Sequence, residues 1–209
     1  GIYSNKNDHT VSLRGRDISD IIFQVSVGSM RIIYAQALRR TNDRQEGSES
    51  ICIREVETVA LLHEDLVLLD AAAPDRETLL RELAQVLLKK GYVKDSYPEA
   101  ILAREAAYPT GLNTKGVALA MPHAAAEHAE KAAILVARLK EPVVFKEMGG
   151  SGKDVPARLV FMLAVDDPEG HVIMLGKFMS IFTDETKLVD LYETNDPAAV
   201  VAKLEAVLS

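Results

Sequence analysis

The chain has 209 residues, of which 48% are hydrophobic, 5% are aromatic and none is Trp, so we expect one sizeable aliphatic core with an appendage. The net charge is −7: residues 1–55 hold eight Lys and Arg against seven Asp and Glu, and residues 56–209 hold sixteen against twenty-four. Such an acidic body disfavours nucleic-acid binding, which needs clustered cations opposite the phosphates. With one cysteine, Cys52, no secretory leader pattern and no membrane-spanning apolar run, the sequence predicts a cytoplasmic protein.

Residues 1–55 form a compositional block of their own. The run 20–27 is a strand candidate, and Gly28-Ser29 offers a hairpin turn back through residues 30–37, but a helix over 30–40 fits nearly as well. The polar run 40–50 is typical of a linker or loop. We therefore divide the chain into an N-terminal segment of unassigned role at 1–55, with the character of a fusion remnant or tag, and a domain at 56–209.

From residue 56 onward, strand and helix patterns alternate without a strict repeat. Short buried apolar runs predict strands over 66–69, 117–121, 132–139 and 157–165. Apolar residues at helical spacing behind capping residues predict helices over 76–90, 97–107, 171–182, 185–192 and 197–208. The mixture predicts an α/β fold with a mixed central β-sheet flanked by helices on both faces.

The most informative stretch is Gly-Val-Ala-Leu-Ala-Met-Pro-His-Ala, which begins at Gly116. Pro122 has no N–H to donate to a sheet ladder, so it ends the strand and leaves the His123 imidazole at the end of a sheet. Small residues around the ring leave room for a reacting group. Such a histidine serves as nucleophile, proton shuttle or metal ligand, whereas a lone Pro-His is more often a half-buried turn.

Two further motifs accompany it. Arg-Glu-x-x-aromatic-Pro-Thr-Gly-Leu begins at Arg104, and Gly-His-x-x-x-Leu begins at Gly170. Together with Ala-x-Pro-His, and in this order, they resemble the IIA component of the bacterial phosphoenolpyruvate:sugar phosphotransferase system (PTS), in its mannitol/fructose (type 2) superfamily. The Pro-Thr-Gly-Leu segment looks most like the galactitol-like branch. The resemblance covers roughly residues 61–209.

This resemblance implies a phosphotransferase that works as a histidine phosphocarrier. It implies that His123 takes a phosphoryl group from phospho-HPr and passes it to a cysteine of a IIB component, for uptake of a sugar or sugar alcohol. It also implies attack by Nε2 with Nδ1–H held by a backbone carbonyl, no cofactor, and only indirect association with the membrane component IIC. The alternative is a regulatory IIA module, nitrogen-type or part of a transcription regulator, that signals through the same phosphorylation.

Three more residues are site candidates. The resemblance implies that His171, at a helix start, orients His123 or donates to the phosphoryl oxygens; otherwise it is a packed N-terminal residue. Arg104 is suited to pair with phosphoryl oxygens. In the alternative interpretation, Arg104 binds backbone carbonyls at the end of its helix, and Glu105 is an ordinary surface charge. The Thr110 hydroxyl either faces the site or belongs to turn chemistry.

A metal-hydrolase interpretation would gather His123, His128, Glu130 and either Asp166 or Asp167 as ligands. Helical ligand pairs need a spacing of three or four residues, and the chain contains no His-Glu-x-x-His motif and no cysteine cluster. The metal interpretation is therefore disfavoured, and we expect no metal at the site.

Overall fold

In the computed structural model, the described residues are 31–32, 59–165 and 178–208, all of which belong to one unit. The strands are β1 (Arg31–Ile32), β2 (Val59–Ala60), β3 (Leu62–Ala71), β4 (Gly111–Leu112), β5 (Leu119–Ala120), β6 (Ala133–Lys146) and β7 (Asp154–Ala164). The helices are α1 (Arg76–Lys89), α2 (Tyr97–Ala107), α3 (Glu185–Glu193) and α4 (Pro197–Leu208), with a 3-10 turn at Ala126–His128. Within these ranges, no helix is both long and apolar enough to cross a bilayer.

The main sheet has five strands in the order β3-β6-β7-β5-β4. β3 runs parallel to β6 and β5 runs parallel to β7, whereas the pairs β6–β7 and β4–β5 are antiparallel. The sheet is therefore mixed, as predicted. Because the order departs from chain order, β5 lies between β7 and β4, and the loop after β5 emerges beside the end of β7.

Both faces of the sheet are covered, because the central strands bury side chains on each side. Along β7, Leu159, Phe161 and Leu163 belong to one core cluster, and Val160, Met162 and Ala164 belong to the other. This alternation is the two-residue period of a strand. The first cluster includes residues of α3, α4 and the helical residues 178–182, and the second includes residues of α1 and α2. The α/β arrangement with helices on both faces is confirmed.

Element ends follow local chemistry where a side chain caps the helix. The Asp75 carboxylate accepts a hydrogen bond from the Thr78 N–H at 2.8 Å, and Asp184 accepts one from the Lys187 N–H at 3.2 Å, so α1 and α3 begin where the sequence predicts. The strands are less well predicted. β3 and the β6–β7 hairpin are longer than their apolar runs, because backbone pairing continues through polar residues such as Lys146 and Asp154.

The glycine of the Pro-Thr-Gly-Leu motif has a packing role. A Cβ at Gly111 would lie 2.6 Å from the Lys146 backbone oxygen and 3.1 Å from the Cβ atoms of Phe145 and Val155. β4 therefore approaches the β6–β7 hairpin too closely for any side chain at this position. This close approach anchors the segment that connects α2 to the sheet.

The N-terminal block is described only at β1, which pairs antiparallel with β2 through Arg31–Ala60 and Ile32–Val59. The predicted strand at 20–27 and the linker at 40–50 lie outside the described residues. β1 and β2 form a separate sheet of two strands. The division at residue 55 stays a prediction, and the β1 pairing is the described contact that crosses it.

We predict that a chain truncated to residues 56–209 folds cooperatively, because the five-stranded sheet and its helices lie beyond residue 60 and, among the described strand pairings, the truncation removes those of β1. Far-UV circular dichroism and urea unfolding measure this. A matched chain of residues 25–209 retains β1 and serves as the control. If the shorter chain is unfolded while the control folds, the N-terminal block completes the core and the division is wrong.

Candidate functional site

His123 is positioned by the continuation of β5 along β7. Leu119 pairs with Leu159, and after the break at Pro122 the same register resumes with a parallel bridge between His123 and Leu163. The Leu163 N–H donates to the Pro122 carbonyl at 3.0 Å. β5 ends at Ala120, two residues before Pro122, so the paired strand is shorter than the predicted residues 117–121. The imidazole lies at the sheet end.

The ring of His123 is half-buried and held in one orientation. Its Nδ1 lies 2.9 Å from the backbone oxygen of Met121. A carbonyl oxygen only accepts hydrogen bonds, so Nδ1 carries the proton and Nε2 of the neutral ring holds the lone pair. The Arg104 Nη2 lies 3.4 Å from Nε2, and a guanidinium only donates, which agrees with this tautomer. Nε2 thus faces a cation.

The surroundings favour the neutral form of this imidazole. Burial lowers the pKa of His123 from its ordinary value of 6.5, and the positive charge of Arg104 lowers it further, while the hydrogen bond to the Met121 carbonyl acts in the opposite direction. At neutral pH the uncharged ring therefore predominates, which is the state that a nitrogen nucleophile needs.

Arg104 lies in the last turn of α2 and is held from two sides. Its Nη1 approaches the Tyr108 carbonyl at 3.5 Å, and its guanidinium carbon lies 4.4 Å above the centre of the Tyr108 ring. The helix-end role considered for this arginine is thus present together with the approach to His123. Because one guanidinium nitrogen binds the backbone, the other is steadied at the imidazole.

Glu105 is buried, so the alternative in which it is an ordinary surface charge is wrong. Its residue is 2% exposed, and its carboxylate accepts hydrogen bonds from the Thr110 N–H at 3.0 Å and the Thr110 hydroxyl at 2.7 Å. Burial raises the pKa of the Glu105 carboxyl, and these two hydrogen bonds oppose the rise. The Thr110 hydroxyl is therefore committed to Glu105, and neither role expected for it from the sequence describes this contact.

A sequence signal for this burial exists. Glu105 follows the buried Tyr97 and Ile101 at intervals of four residues, so it lies on the inward stripe of α2. An acidic residue on an apolar stripe requires a polar partner, and threonine five positions later, past the helix end, supplies one. The surface-charge alternative does not include this pairing with Thr110, because charged residues near a helix end are usually solvated.

His171 lies outside the described residues, as do Asp166 and Asp167. Over the described ranges, no three His, Cys, Asp or Glu side chains come together as a metal site. His128, considered as a ligand, has its Nδ1 2.8 Å from the Ser96 hydroxyl and its Nε2 3.4 Å from a Glu127 carboxylate oxygen. Its ring is thus engaged at the start of α2.

Comparisons with known proteins agree with this geometry. Residues 60–207 match the family model described as phosphoenolpyruvate-dependent sugar phosphotransferase system, EIIA 2. The galactitol-specific EIIA component of the PTS from Escherichia coli (strain K12) is 36% identical over 124 residues, which cover 57% of this chain and 81% of that protein.

Two solved structures are similar in fold. One is the complex of enzyme IIAMTL and phosphorylated enzyme IIBMTL from Escherichia coli, with a TM-score of 0.55 and 26% identity over 69% of this chain and 96% of that chain. The other is the nitrogen regulatory protein IIA-Ntr from Neisseria meningitidis, with a TM-score of 0.58 and 28% identity over 69% of this chain and 96% of that chain.

We predict that His123 titrates below 6.5 and that Arg104→Ala raises its pKa, because the variant removes a nearby positive charge. Long-range ¹H–¹⁵N spectra of the imidazole across a pH series measure this. Arg81→Ala, which removes an exposed arginine paired with Glu77, is the control and leaves the titration unchanged. A His123 pKa at or above the ordinary value contradicts the prediction.

The lowered pKa of His123 also makes the free energy of unfolding depend on pH, which gives a second measurement of the shift. The native state disfavours the imidazolium, so the contribution of His123 is full above the ordinary pKa of 6.5 and is lost as the pH falls through the lowered value. In urea unfolding across this window, wild type therefore loses more stability on acidification than His123→Asn, which does not titrate. Equal losses contradict the assignment.

Proposed function

Because the chain belongs to the EIIA 2 family of the phosphoenolpyruvate-dependent sugar phosphotransferase system, we propose that it carries the phosphoryl group of that system on Nε2 of His123. An EIIA component is a phosphotransferase, and this chain is a phosphoryl carrier that passes the group to an EIIB component. The observation that carries the assignment to His123 is the 2.9 Å contact between Nδ1 and the Met121 oxygen, which leaves the lone pair on Nε2. The Arg104 guanidinium adjoins that atom.

The first transfer is a displacement at phosphorus. The donor is a phosphohistidine on HPr, the partner that the family resemblance implies. The Nε2 lone pair forms the new N–P bond, and the electron pair of the old P–N bond returns to the donor imidazole. The proton on Nδ1 stays in its hydrogen bond to the Met121 oxygen, so the ring needs no proton transfer. Charge developing on the equatorial oxygens is met by Arg104.

The second transfer reverses these roles. A cysteine thiolate of the EIIB component attacks phosphorus, an S–P bond forms, and the N–P electron pair returns to Nε2 as a lone pair. The lowered pKa of His123 suits both directions, because the neutral ring is the attacking form in one step and the leaving form in the other. The complex of IIAMTL with phosphorylated IIBMTL supports this partner class.

Further parts of the proposal rest on the sequence motifs. His171 is proposed as a second donor to the phosphoryl oxygens, by its place in Gly-His-x-x-x-Leu. The Thr110 hydroxyl donates to Glu105, so Thr110 is not proposed to contact the phosphoryl group. No cofactor or divalent metal is required at this step, since side-chain donors supply the positive charge. The protein is proposed to be cytoplasmic and to reach the membrane component IIC only through IIB.

The proposed pathway is uptake of a galactitol-like sugar or sugar alcohol, which the 36% identity to the galactitol-specific EIIA component supports. The likeness to IIA-Ntr favours a second candidate, a regulatory module that uses the same phosphorylation. Onward transfer separates the two. A transport component passes its phosphoryl group to the cysteine of a galactitol-type IIB, and the Cys→Ser variant of that IIB blocks the transfer.

We predict that incubation with phosphoenolpyruvate, enzyme I and HPr adds a single phosphoryl group that is labile to acid and stable to base. His123→Ala abolishes the mass increase because it removes the acceptor nitrogen, and intact-mass spectrometry measures this. The control variant, His128→Ala, removes a different histidine and is expected to keep the mass increase. Retention of the label in folded His123→Ala would refute the proposal.

We also predict that Arg104→Ala and His171→Ala each slow transfer by ~10²–10³-fold, the usual effect of losing one positioned donor to a developing anion. Quench-flow measurement of phosphoryl uptake from phospho-HPr gives the rate, and circular dichroism verifies the fold. Lys187→Ala, which removes a surface cation paired with Asp184, is the control. Wild-type rates in a folded variant would return that residue to a structural role.

A further inference from the structure

The Glu105 carboxylate is a buried ionisable group that the phosphoryl transfer described above does not use. Its described hydrogen bonds are to Thr110 rather than to His123 or Arg104. It is nevertheless the first member of a continuous series of hydrogen bonds that ends at the reactive ring. The series joins the end of α2, the start of β4 and the end of β5.

The series has three links. Glu105 accepts from the Thr110 N–H and hydroxyl at 3.0 and 2.7 Å. The Thr110 carbonyl accepts from the Met121 N–H at 3.2 Å. The Met121 carbonyl accepts from His123 Nδ1 at 2.9 Å. Each backbone member therefore receives one bond and makes another, and Met121 is the residue whose carbonyl selects the tautomer of His123.

Burial makes this series stiff. Glu105, Thr110 and Met121 are each 2% exposed, so water does not replace their partners when a bond is lost. Hydrogen bonds in such a dry setting are also electrostatically stronger than at the surface. Among the described hydrogen bonds, those that Glu105 accepts are the ones that tie Thr110 to α2, so this carboxylate holds the helix end of the series.

We infer that Glu105 is a positioning residue for phosphoryl transfer: through Thr110 and Met121 it holds His123 as the Nδ1–H tautomer with Nε2 toward Arg104. The adjacent positions of Glu105 and Arg104 on α2 have a consequence. The end of α2 presents the Arg104 guanidinium to Nε2 and also fixes the strand that carries the imidazole. The guanidinium and the imidazole therefore keep the same relative position. This inference rests on the proposed function of His123.

The variants separate hydrogen bonding from charge and from size. Glu105→Ala removes the acceptor. Glu105→Gln keeps the size of the side chain. Its amide oxygen can accept from the Thr110 N–H, and its amide N–H₂ can donate to the Thr110 hydroxyl oxygen. Thr110→Val removes only the hydroxyl donor and keeps the backbone N–H. Glu99→Gln alters an exposed glutamate of the same helix, paired with Arg81, and is the matched control.

The primary readout is the tautomer of unphosphorylated His123 in long-range ¹H–¹⁵N spectra, with its signals assigned by their loss in His123→Ala. Wild type, Glu105→Gln and Glu99→Gln are expected to show Nδ1–H alone. Glu105→Ala and Thr110→Val are expected to show a mixture with Nε2–H, because the Met121 carbonyl is no longer fixed. This measurement needs no phosphoryl donor, so it stands apart from the test of His123 as acceptor.

The second readout is the transfer rate from phospho-HPr. We expect Glu105→Ala to lower the maximal rate about 10- to 100-fold and to leave the half-saturating HPr concentration unchanged. This is the range seen when the hydrogen-bond partner that orients a metal-ligating histidine is removed. Glu105→Gln restores the rate. A folded Glu105→Ala with the wild-type tautomer overturns the inference. If that variant does not fold, a wild-type tautomer in Thr110→Val overturns it instead.

Discussion

The hydrogen bond between His123 Nδ1 and the Met121 backbone oxygen, at 2.9 Å, is the contact on which the proposed chemistry of this domain depends. It assigns the proton to Nδ1 and leaves the lone pair on Nε2 beside Arg104. A carbonyl serves this purpose only if its peptide is fixed. The peptide is fixed because residues 119–123 keep the register of β7 across Pro122, and because the Met121 N–H is bound by Thr110. The sheet therefore acts as the rigid support of the imidazole.

The order of the strands brings the parts of the site together. β5 lies between β7 and β4 although β6 and β7 follow it in sequence, so the end of β5 emerges beside Leu163 of β7. The Leu163 carbonyl in turn accepts from the buried Tyr97 hydroxyl of α2 at 2.7 Å. α2 thus contacts the site at both of its ends, through Tyr97 and through Arg104. Such a site is assembled by packing between elements rather than by one loop.

Neighbouring charges on α2 have opposite tasks. Arg104 is directed at Nε2, where its charge lowers the pKa of His123 and where we propose that it meets developing negative charge. Glu105 is directed inward, where both carboxylate oxygens are used by Thr110. The acidic body of the domain thus presents a local cation at the proposed phosphoryl site. A phosphoryl group that passes from one protein to another needs some positive charge at the site to bind it, but not so much that the group is not released.

The sequence by itself determined the family, the alternating α/β pattern, the capped starts of α1 and α3, and the place of His123 at a strand end. These follow from local rules: Pro122 has no N–H, Asp75 and Asp184 cap helices, and apolar spacing sets the faces. Only the tertiary structure decided that Glu105 binds Thr110, that Gly111 lies against the β6–β7 hairpin, and that Arg104 reaches His123. These contacts join residues from separate elements, and their existence depends on how α2, β4 and β5 pack, which local propensity does not encode.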